Sequence, residues 1–599
     1  MRLNIETAKD GKDIFELITD EGSFFLNSRY RPEVEAEKFA KQYENMKEGD
    51  VLAVFGYGNG MFPKALWKMY GQKVQLIFLE PCAEIAENMK QSMRAFCEQN
   101  NVCISIPGGE QECDLIYSLE EFPQLLRERV HYGVDYQIHF CALPRYKELF
   151  PKEYAEFEEN LRYRVSFLHA NIYSAQVIGH LVISNNIRNL SYVVNSYSSD
   201  SYVNLFPESM PVVIVSAGPS LEKNVKKLKQ ARERMLILCV DAAVPYLLRE
   251  GIYPHMVGCI DPRKGTELFE EASSLGILLI ADSDVDTEVL RCMNHSPVIF
   301  AGTENPIIRN MYRLAGHELV MEFGGGSIST YLFQLSCKWG FKNIILVGQD
   351  LAMTGKKCYA GDERIEYSDY DWDWLEVEGI DGDTVITRRD YYLYLKWFEQ
   401  NIALHPELNV IDATEGGAKI KGTQVMSLEE VVQSYGEKEC NIEGILSSVQ
   451  PAFDETQRRE LVERITQSRN TIYGLIQKLE DTIALSARGI QVAKKEKMSQ
   501  RKGLAMAGSN ELFYKSLNQK IEALCSYYDT LDEMFLIDRE IDATELDDYL
   551  RLQKEDNSQD LVTQYDWVRR YFGFLKRAAE KVVSVYDEMD VESGNNEAE

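Results

Sequence analysis

Nowhere in its 599 residues does the chain carry an apolar run close to the ~18 residues that a bilayer span requires. The opening Met1-Arg2-Leu3-Asn4-Ile5-Glu6 turns acidic at once and lacks the apolar stretch of a secretory signal. The 12 Cys are scattered, with no C-x-x-C pair and no His at zinc-finger spacing, so neither a disulfide framework nor a zinc module is indicated. Reduced, buried thiols and a cytoplasmic location are the expectation. Basic residues are also short: 65 Lys and Arg against 95 Asp and Glu leave a net charge of −30. Such a surface repels nucleic acid and anionic lipid, excluding both as general partners, though a local nest of N–H groups can still hold a small anion. The eight His are dispersed and none sits in a motif described below.

What is present is globular sequence in amounts that one core cannot hold. Three regions separate by pattern. Residues 1–190 open with helix-like sequence and continue into a βαβ-like stretch around Val51 to Phe55 and Val74 to Leu79, predicting a Rossmann-like α/β domain. Residues 191–435 alternate apolar runs with helix-compatible segments. The runs are Val212 to Val215, Leu236 to Val240, Met256 to Ile260, Ile277 to Ala281, Val298 to Ala301 and Ile344 to Val347. Continuous apolar runs of this kind are parallel strands covered on both faces, and they predict a doubly wound α/β core. Residues 436–599 have little Gly or Pro after Phe453 and carry apolar stripes at three- and four-residue steps. Leu461, Ile465, Ile472 and Leu479 make one; Leu512, Leu517, Ile521 and Leu524 a second; Leu561, Val568, Leu575 and Val582 a third. A helical bundle follows, with a fraying tail after Glu588.

The chemistry-bearing segments cluster in the central region. Ser216-Ala217-Gly218-Pro219-Ser220-Leu221 follows the first strand directly. A glycine turn, a Pro suited to a first helical turn and a Ser hydroxyl outline a phosphate site at a helix start. The next strand ends in Asp241, positioned as a ribose acceptor, and the third in Asp261. Gly324-Gly325-Gly326-Ser327 precedes another helix and offers further backbone donors. Gly348-Gln349-Asp350-Leu351-Ala352 ends the strand 344–347, and Asp412-Ala413-Thr414-Glu415-Gly416-Gly417 closes the region. Asp371-Trp372-Asp373 has the spacing of a metal-binding pair, but no apolar strand precedes it in the loop 367–375, and it reads as a solvated acidic loop. In the N-terminal region Gly56-x-Gly58-x-Gly60 with Glu80 has the pattern of a dinucleotide or S-adenosylmethionine site. A Rossmann-like domain kept for packing or acceptor recognition is the preferred reading of it.

Gly218-Pro219-Ser220-Leu221, Asp241, Asp261, Gly325-Gly326-Ser327, Gly348-Gln349-Asp350 and Thr414-Glu415-Gly416-Gly417 occur in the order of the motility-associated factor (Maf) glycosyltransferases, which the chain resembles. Ser28-Arg29-Tyr30-Arg31-Pro32 and the Gly56 segment resemble that family's N-terminal region. The central pattern is also similar to bacterial sialyltransferases that use CMP-activated sugars. The resemblance implies transfer of a nonulosonic acid, pseudaminic or legionaminic, from its CMP donor to Ser or Thr of flagellin, with no metal or further cofactor. It implies that Gly218, Pro219, Ser220, Asp241, Gly325, Gly326, Ser327, Gln349 and Thr414 hold the donor. Asp261, Asp350 and Glu415 are the candidate bases. Other readings are an ATP-dependent 6-hydroxymethylpterin pyrophosphokinase, which the central region also resembles, a methyltransferase centred on Gly56 to Gly60, and a non-catalytic flagellin assembly factor.

Overall fold

The computed structural model describes residues 1–108, 115–119, 121–129, 137–293, 297–319, 324–361, 374–435, 440–501, 509–553, 555 and 560–596. The chain divides into two compact units, Met1–Ile172 and Tyr173–Glu599. The three expected regions therefore become two. Leu461, Ile472, Leu479 and Leu575 lie in one continuous buried core with the strands of the central sheet, so the C-terminal helices are not a separate domain. The boundary near 190 also moves. The helix Pro151–Arg188 carries the chain from one unit into the other. On its last turns the buried Asn185 and Asn186, with Asn189 just beyond, bind the loop after the strand Leu278–Ala281. Asn189 Nδ2 donates to the carbonyls of Ser283 (3.1 Å) and Val285 (2.8 Å), and Asn186 Nδ2 to the Asp284 carboxylate (2.7 Å).

The first unit opens with a three-stranded antiparallel meander, Arg2–Thr7, Asp13–Thr19 and Gly22–Phe25, where helix was expected. The physical reason is in the turns: Asp10-Gly11 and Glu21-Gly22 place glycines at φ 84° and 143°, and Phe15 and Leu17 alternate inward between them. A five-stranded parallel sheet follows in the order Ile116–Ser118, Cys103–Ile106, Gln75–Leu79, Val51–Phe55, Ile138–Ala142.

The second unit is built on a nine-stranded, all-parallel sheet. Its order is Gln424–Val425, Asn409–Asp412, Asn343–Val347, Val212–Val215, Leu236–Val240, Met256–Cys259, Leu278–Ala281, Val298–Phe300, Tyr197–Ser198. The six runs read from sequence are all strands. The order reverses at Val212–Val215: the chain moves outward on one side as far as Val298–Phe300, then returns to the other side at Asn343–Val347. Beside adjacent strands that diverge in this way, the loops at their carboxyl ends part and leave a crevice, the usual ligand position of open α/β sheets.

The helices Glu455–Arg501 and Leu561–Asn596 pack along each other, with Ser509–Tyr528, Met534–Thr544 and Leu546–Gln553 against them. The last helix continues to Asn596 rather than ending near Glu588. Of the second predicted stripe Leu517 and Leu524 are buried, but Leu512 is 73% exposed and contributes no core. Leu479→Ala, at a position with 0% exposure, is expected to cost about 2–5 kcal/mol in urea unfolding, against less than about 0.5 kcal/mol for Leu512→Ala.

Candidate functional site

At the point of reversal the loops after Val212–Val215 and Asn343–Val347 are sewn together. Gly218 N–H donates to the Gly348 carbonyl at 2.8 Å. Ser220 gives both its N–H (3.1 Å) and its hydroxyl (2.5 Å) to the Asp350 carboxylate, and the Ser216 hydroxyl binds Gln349 Oε1 at 2.5 Å. Gly218 is required by this closeness, since a Cβ there would overlap the Asp350 carboxylate and the Gly348 carbonyl oxygen. The third loop joins the same network: Gln349 N–H meets Thr414 Oγ1 at 3.3 Å, and Thr414 N–H meets Asp412 Oδ1 at 3.1 Å.

This geometry changes what several predicted residues do. The helix after Ser220, Leu221–Asn224, is only four residues long, and the N–H groups of Gly218, Ser220 and Leu221 are all spent inside the protein. An open phosphate cradle at Gly218 is therefore not formed; the Asp350 carboxylate occupies the donors that an anion would use. Asp350 is buried, and burial holds its carboxyl above the usual range despite the Ser220 bonds, so it acts as a clamp between loops. Glu415 is likewise engaged, with Oε1 accepting from Asn224 Nδ2 (3.1 Å) and from the Leu428 N–H (3.0 Å) that opens the helix Leu428–Tyr435. Asp261 is exposed and accepts the Arg263 N–H at 2.9 Å in an Asx turn. Asp241, placed by sequence as a ribose acceptor, is buried and paired to Lys264 at 3.1 Å. Among the described residues no hydrogen bond joins Asp241 or Asp261 to the Gly218 loop.

In the glycine segment before the next helix, Gly325 N–H is spent on Thr330 Oγ1 at 2.8 Å, and what stays open is the helix start itself. Ile328–Lys338 is an 11-residue helix with a capping box, Ser327 Oγ accepting from Thr330 N and Thr330 Oγ1 from Ser327 N, each at 3.3 Å. The cap uses the third N–H of the helix; those of Ile328 and Ser329 have no partner within it, as at any helix start. Gly325 packs on Trp397, and a Cβ on Gly326 would come 3.5 Å from Tyr394 Cε1.

That contact brings in an element absent from the sequence reading. A hairpin, Trp374–Glu378 with Thr384–Arg388, leads into the helix Arg389–Leu404. It docks beside the point of reversal, since Thr387 Oγ1 donates to the Leu351 carbonyl (2.7 Å) and Met353 N–H to that of Ile386 (2.8 Å). Ala360 N–H reaches across to the Ala217 carbonyl at 2.8 Å. Half-buried Arg388, Tyr391 and Tyr394 thus stand between the clamped loops and the Gly326-Ser327 turn. The signal for them was legible as Arg388-Arg389-Asp390 ahead of tyrosines at helical spacing, 391 and 394, which share one face. Lys264, in Asp261-Pro262-Arg263-Lys264, was similarly visible. Asp371 and Asp373 lie outside the described residues. Among the described residues, no group of three or more His, Cys, Asp or Glu is placed to hold a metal ion.

In the first unit the Gly56 to Gly60 loop is filled by the protein itself. Glu80, fully buried, accepts N–H bonds from Tyr57 (2.8 Å), Gly58 (3.0 Å) and Cys82 (2.9 Å) and the Tyr146 hydroxyl (2.7 Å). The Tyr146 ring lies where a Cβ on Gly56 would be, 2.7 Å away. The donors of a cofactor loop are consumed, which answers against the methyltransferase reading.

With this geometry in place, three comparisons with known proteins bear on it. A family profile described as 6-hydroxymethylpterin diphosphokinase MptE-like matches residues 184–356, which include the Gly218 and Ser327 turns and Asp350. An uncharacterized protein of Treponema pallidum (strain Nichols) is 28% identical over 159 residues, covering 23% of this chain and 74% of that protein. Among solved structures, the Maf glycosyltransferase from Magnetospirillum magneticum AMB-1 superimposes with a TM-score of 0.54 over 98% of this chain and 93% of its own, at 14% identity. The two share a fold along the whole chain, as the sequence resemblance implied.

Three outcomes follow from the buried carboxylates Glu80 and Asp412. Titration of S-adenosylmethionine into the protein is expected to give no binding heat, and Glu80→Ala to destabilise the first unit by about 2–4 kcal/mol in thermal unfolding, through four donors left without an acceptor. Burial pushes the Asp412 carboxyl up to about 6, against the ordinary 3.8. The native state then takes up this proton more readily than the unfolded chain, so its contribution to stability grows as pH falls from 7 through 6 and is complete only below the unfolded value. Relative to Asp412→Asn, the wild type should gain about 1 kcal/mol between pH 7 and pH 5 in urea unfolding followed at both pH values.

Proposed function

We propose that this chain is a glycosyltransferase that moves a nonulosonic acid, pseudaminic or legionaminic, from a CMP-activated donor to Ser or Thr of flagellin in the cytoplasm. The observation that carries the reading is the fold shared with a Maf glycosyltransferase over 98% of the chain, together with the reversal of strand order at Val212–Val215, beside which open α/β sheets take their ligands. Fold alone admits many activities, so the site has to supply the rest. The donor lies against Gly326 and Ser327, where the helix Ile328–Lys338 offers N–H groups and its positive end to a phosphate. Gly218, Pro219, Ser220, Gln349 and Thr414 hold the floor of the crevice by fixing the two strand-end loops. The acceptor hydroxyl oxygen attacks the anomeric carbon, forming the new glycosidic bond as the bond to the CMP phosphate breaks. Its proton passes to a carboxylate. Asp261 is the exposed one of the three candidates, whereas Asp350 and Glu415 are held by internal donors.

The profile match keeps a second reading in view, transfer of pyrophosphate from ATP to a hydroxymethylpterin, which would need Mg²⁺ at the phosphates.

Calorimetric titration separates the two. CMP is expected to bind with or without Mg²⁺, with affinity falling about 3- to 10-fold in Ser327→Ala. Asp261→Asn should leave CMP affinity unchanged and lower transfer to flagellin by about 10²–10⁴-fold. Binding of ATP with Mg²⁺ and none of CMP would replace this reading by the pyrophosphokinase.

A further inference from the structure

On the edge of the large sheet opposite the crevice, a second concavity has no part in the reading above. The strands of that sheet all run parallel, so their amino ends share one edge, a strand's length of about 13–17 Å from the Gly218 and Asp350 loops. A cavity of about 570 Å³ opens there, at the starts of the strands Met256–Cys259, Leu278–Ala281, Val298–Phe300 and Tyr197–Ser198. That is the size of a small-molecule site. One wall is the segment that leaves the sheet for the C-terminal helices. Cys440 N–H donates to the Glu233 carbonyl at 3.0 Å, and Ala452 N–H to the Ser196 carbonyl at 2.9 Å. Between these two ties the helix Ile442–Ser448 brings Glu443, Leu446 and Ser447 to the cavity.

The lining joins aromatic faces to hydroxyls and carries no net charge. Tyr197, Tyr202 and Tyr253 stand beside Pro254, Leu278 and Pro297. Tyr202 is 1% exposed, its ring tilted on Trp339 with centroids 5.1 Å apart, and its hydroxyl has no hydrogen-bond partner among the described residues. A phenol placed so deep ordinarily finds one. The charged pair of the lining, Arg232 and Glu443, neutralises itself at 2.7 Å. Arg232 Nε is spent on the Tyr253 carbonyl at 2.8 Å, which leaves Nη1 as a donor and the second oxygen of Glu443 as an acceptor. His255 adds no charge. Its Nδ1 accepts the Ile237 N–H at 2.9 Å, and burial brings its pKa down to about 4, so the ring is neutral at pH 7.

We propose that this cavity is a second ligand site, for an uncharged nucleobase or nucleoside, separate from the donor crevice and independent of the donor reading. The base stacks on a tyrosine face, which every base can do because each has a π-face. Its edge meets the remaining donor of Arg232, the remaining acceptor of Glu443 and the Tyr202 hydroxyl, which can serve as either. Charge excludes the phosphorylated forms, because the one guanidinium is already neutralised and a chain of −30 holds anions off where no free cation opposes it. The apolar wall of Pro254, Leu278 and Pro297 excludes a free sugar, whose hydroxyls need partners on every side.

The test titrates adenosine, inosine and uridine into the full chain by calorimetry, with their 5′-monophosphates and ribose beside them. At least one nucleoside is expected to bind saturably, its monophosphate at least about 10-fold more weakly, and ribose not at all. Tyr202→Phe, which removes only the hydroxyl, should weaken that nucleoside by about 3- to 10-fold. Ser447→Trp, at an exposed helix position, puts a large side chain into the mouth and should weaken it by more than about 10-fold. Thermal midpoints within about 2 °C of the wild type show that both variants are folded. Saturating CMP should leave nucleoside affinity unchanged. Competition with CMP would place the nucleoside in the donor crevice and overturn the proposal. So would unaltered binding in both variants, tighter binding of the monophosphate, or no saturable binding of any of the three nucleosides. Failure of the wild type to bind CMP would remove the donor reading and leave this site standing.

Discussion

The second unit depends on the pairing of the Asp350 carboxylate with the hydroxyl and N–H of Ser220. Strands whose chain order reverses beside each other must let their following loops diverge, and a divergent pair leaves backbone donors facing an opening. Asp350 closes that opening from within. The cost is a carboxylate taken out of water, which its raised proton affinity records. Two hydrogen bonds from one serine offset it, and the resulting join is stiff, because neither loop can shift without leaving a buried polar group unpaired. Gly218 and Gly348 fit the clamp, since each lets one loop approach the other where a side chain would not fit. Gly218, which its sequence context marks as part of a phosphate site, gives its N–H to this join.

The first unit solves the same problem with the same chemistry. Its glycine loop after Val51–Phe55 gives two N–H groups to Glu80, as the loop after Val212–Val215 gives donors to Asp350. The difference lies in what surrounds the carboxylate. Around Glu80 the Tyr146 ring seals the turn, and burial pushes the carboxyl up against four opposing donors. The turn at Gly326 and Ser327 instead opens the 11-residue helix Ile328–Lys338, whose cap takes only the third N–H. A Rossmann-like sheet alone therefore does not make a nucleotide site. A helix start left free near the crevice is what the proposed donor site adds to such a sheet.

These distinctions bear on what sequence could reveal. The strands were legible because a strand covered on both faces is a continuous apolar run, and Val212 to Val215 or Ile344 to Val347 has no other reading. The opening meander was missed although Asp10-Gly11 and Glu21-Gly22 are turn signals, because the short strands between them alternate only weakly. The outer strands Asn409–Asp412 and Tyr197–Ser198 were missed because they are short and carry polar residues that only the sheet context places. At the site, residue types gave positions but not partners. Asp350 and Glu415 are carboxylates at strand ends, as a base would be, and only the folded chain brings Ser220 to one and Asn224 with the Leu428 N–H to the other. The hairpin before the helix Arg389–Leu404 docks through Thr387, whose hydroxyl reaches the carbonyl of Leu351 36 residues earlier in the chain, a pairing that only the folded chain brings about.

A chain this acidic meets an anionic donor only if the attraction is local. Screening at physiological salt limits the long-range field to about 8 Å, so the excess carboxylates over most of the surface are not felt inside the crevice. In the donor reading proposed above, what is felt there is the start of the helix Ile328–Lys338, in surroundings less polar than water, where a charge acts more strongly over a few ångströms. The surrounding negative field then has a use of its own. It disfavours polyanions too large to enter, while a small donor can pass the rim and exchange its hydration for fixed donors. Net charge and site charge of opposite sign are thus compatible, provided that the positive end is held by the fold, as the capping box holds the start of the helix Ile328–Lys338.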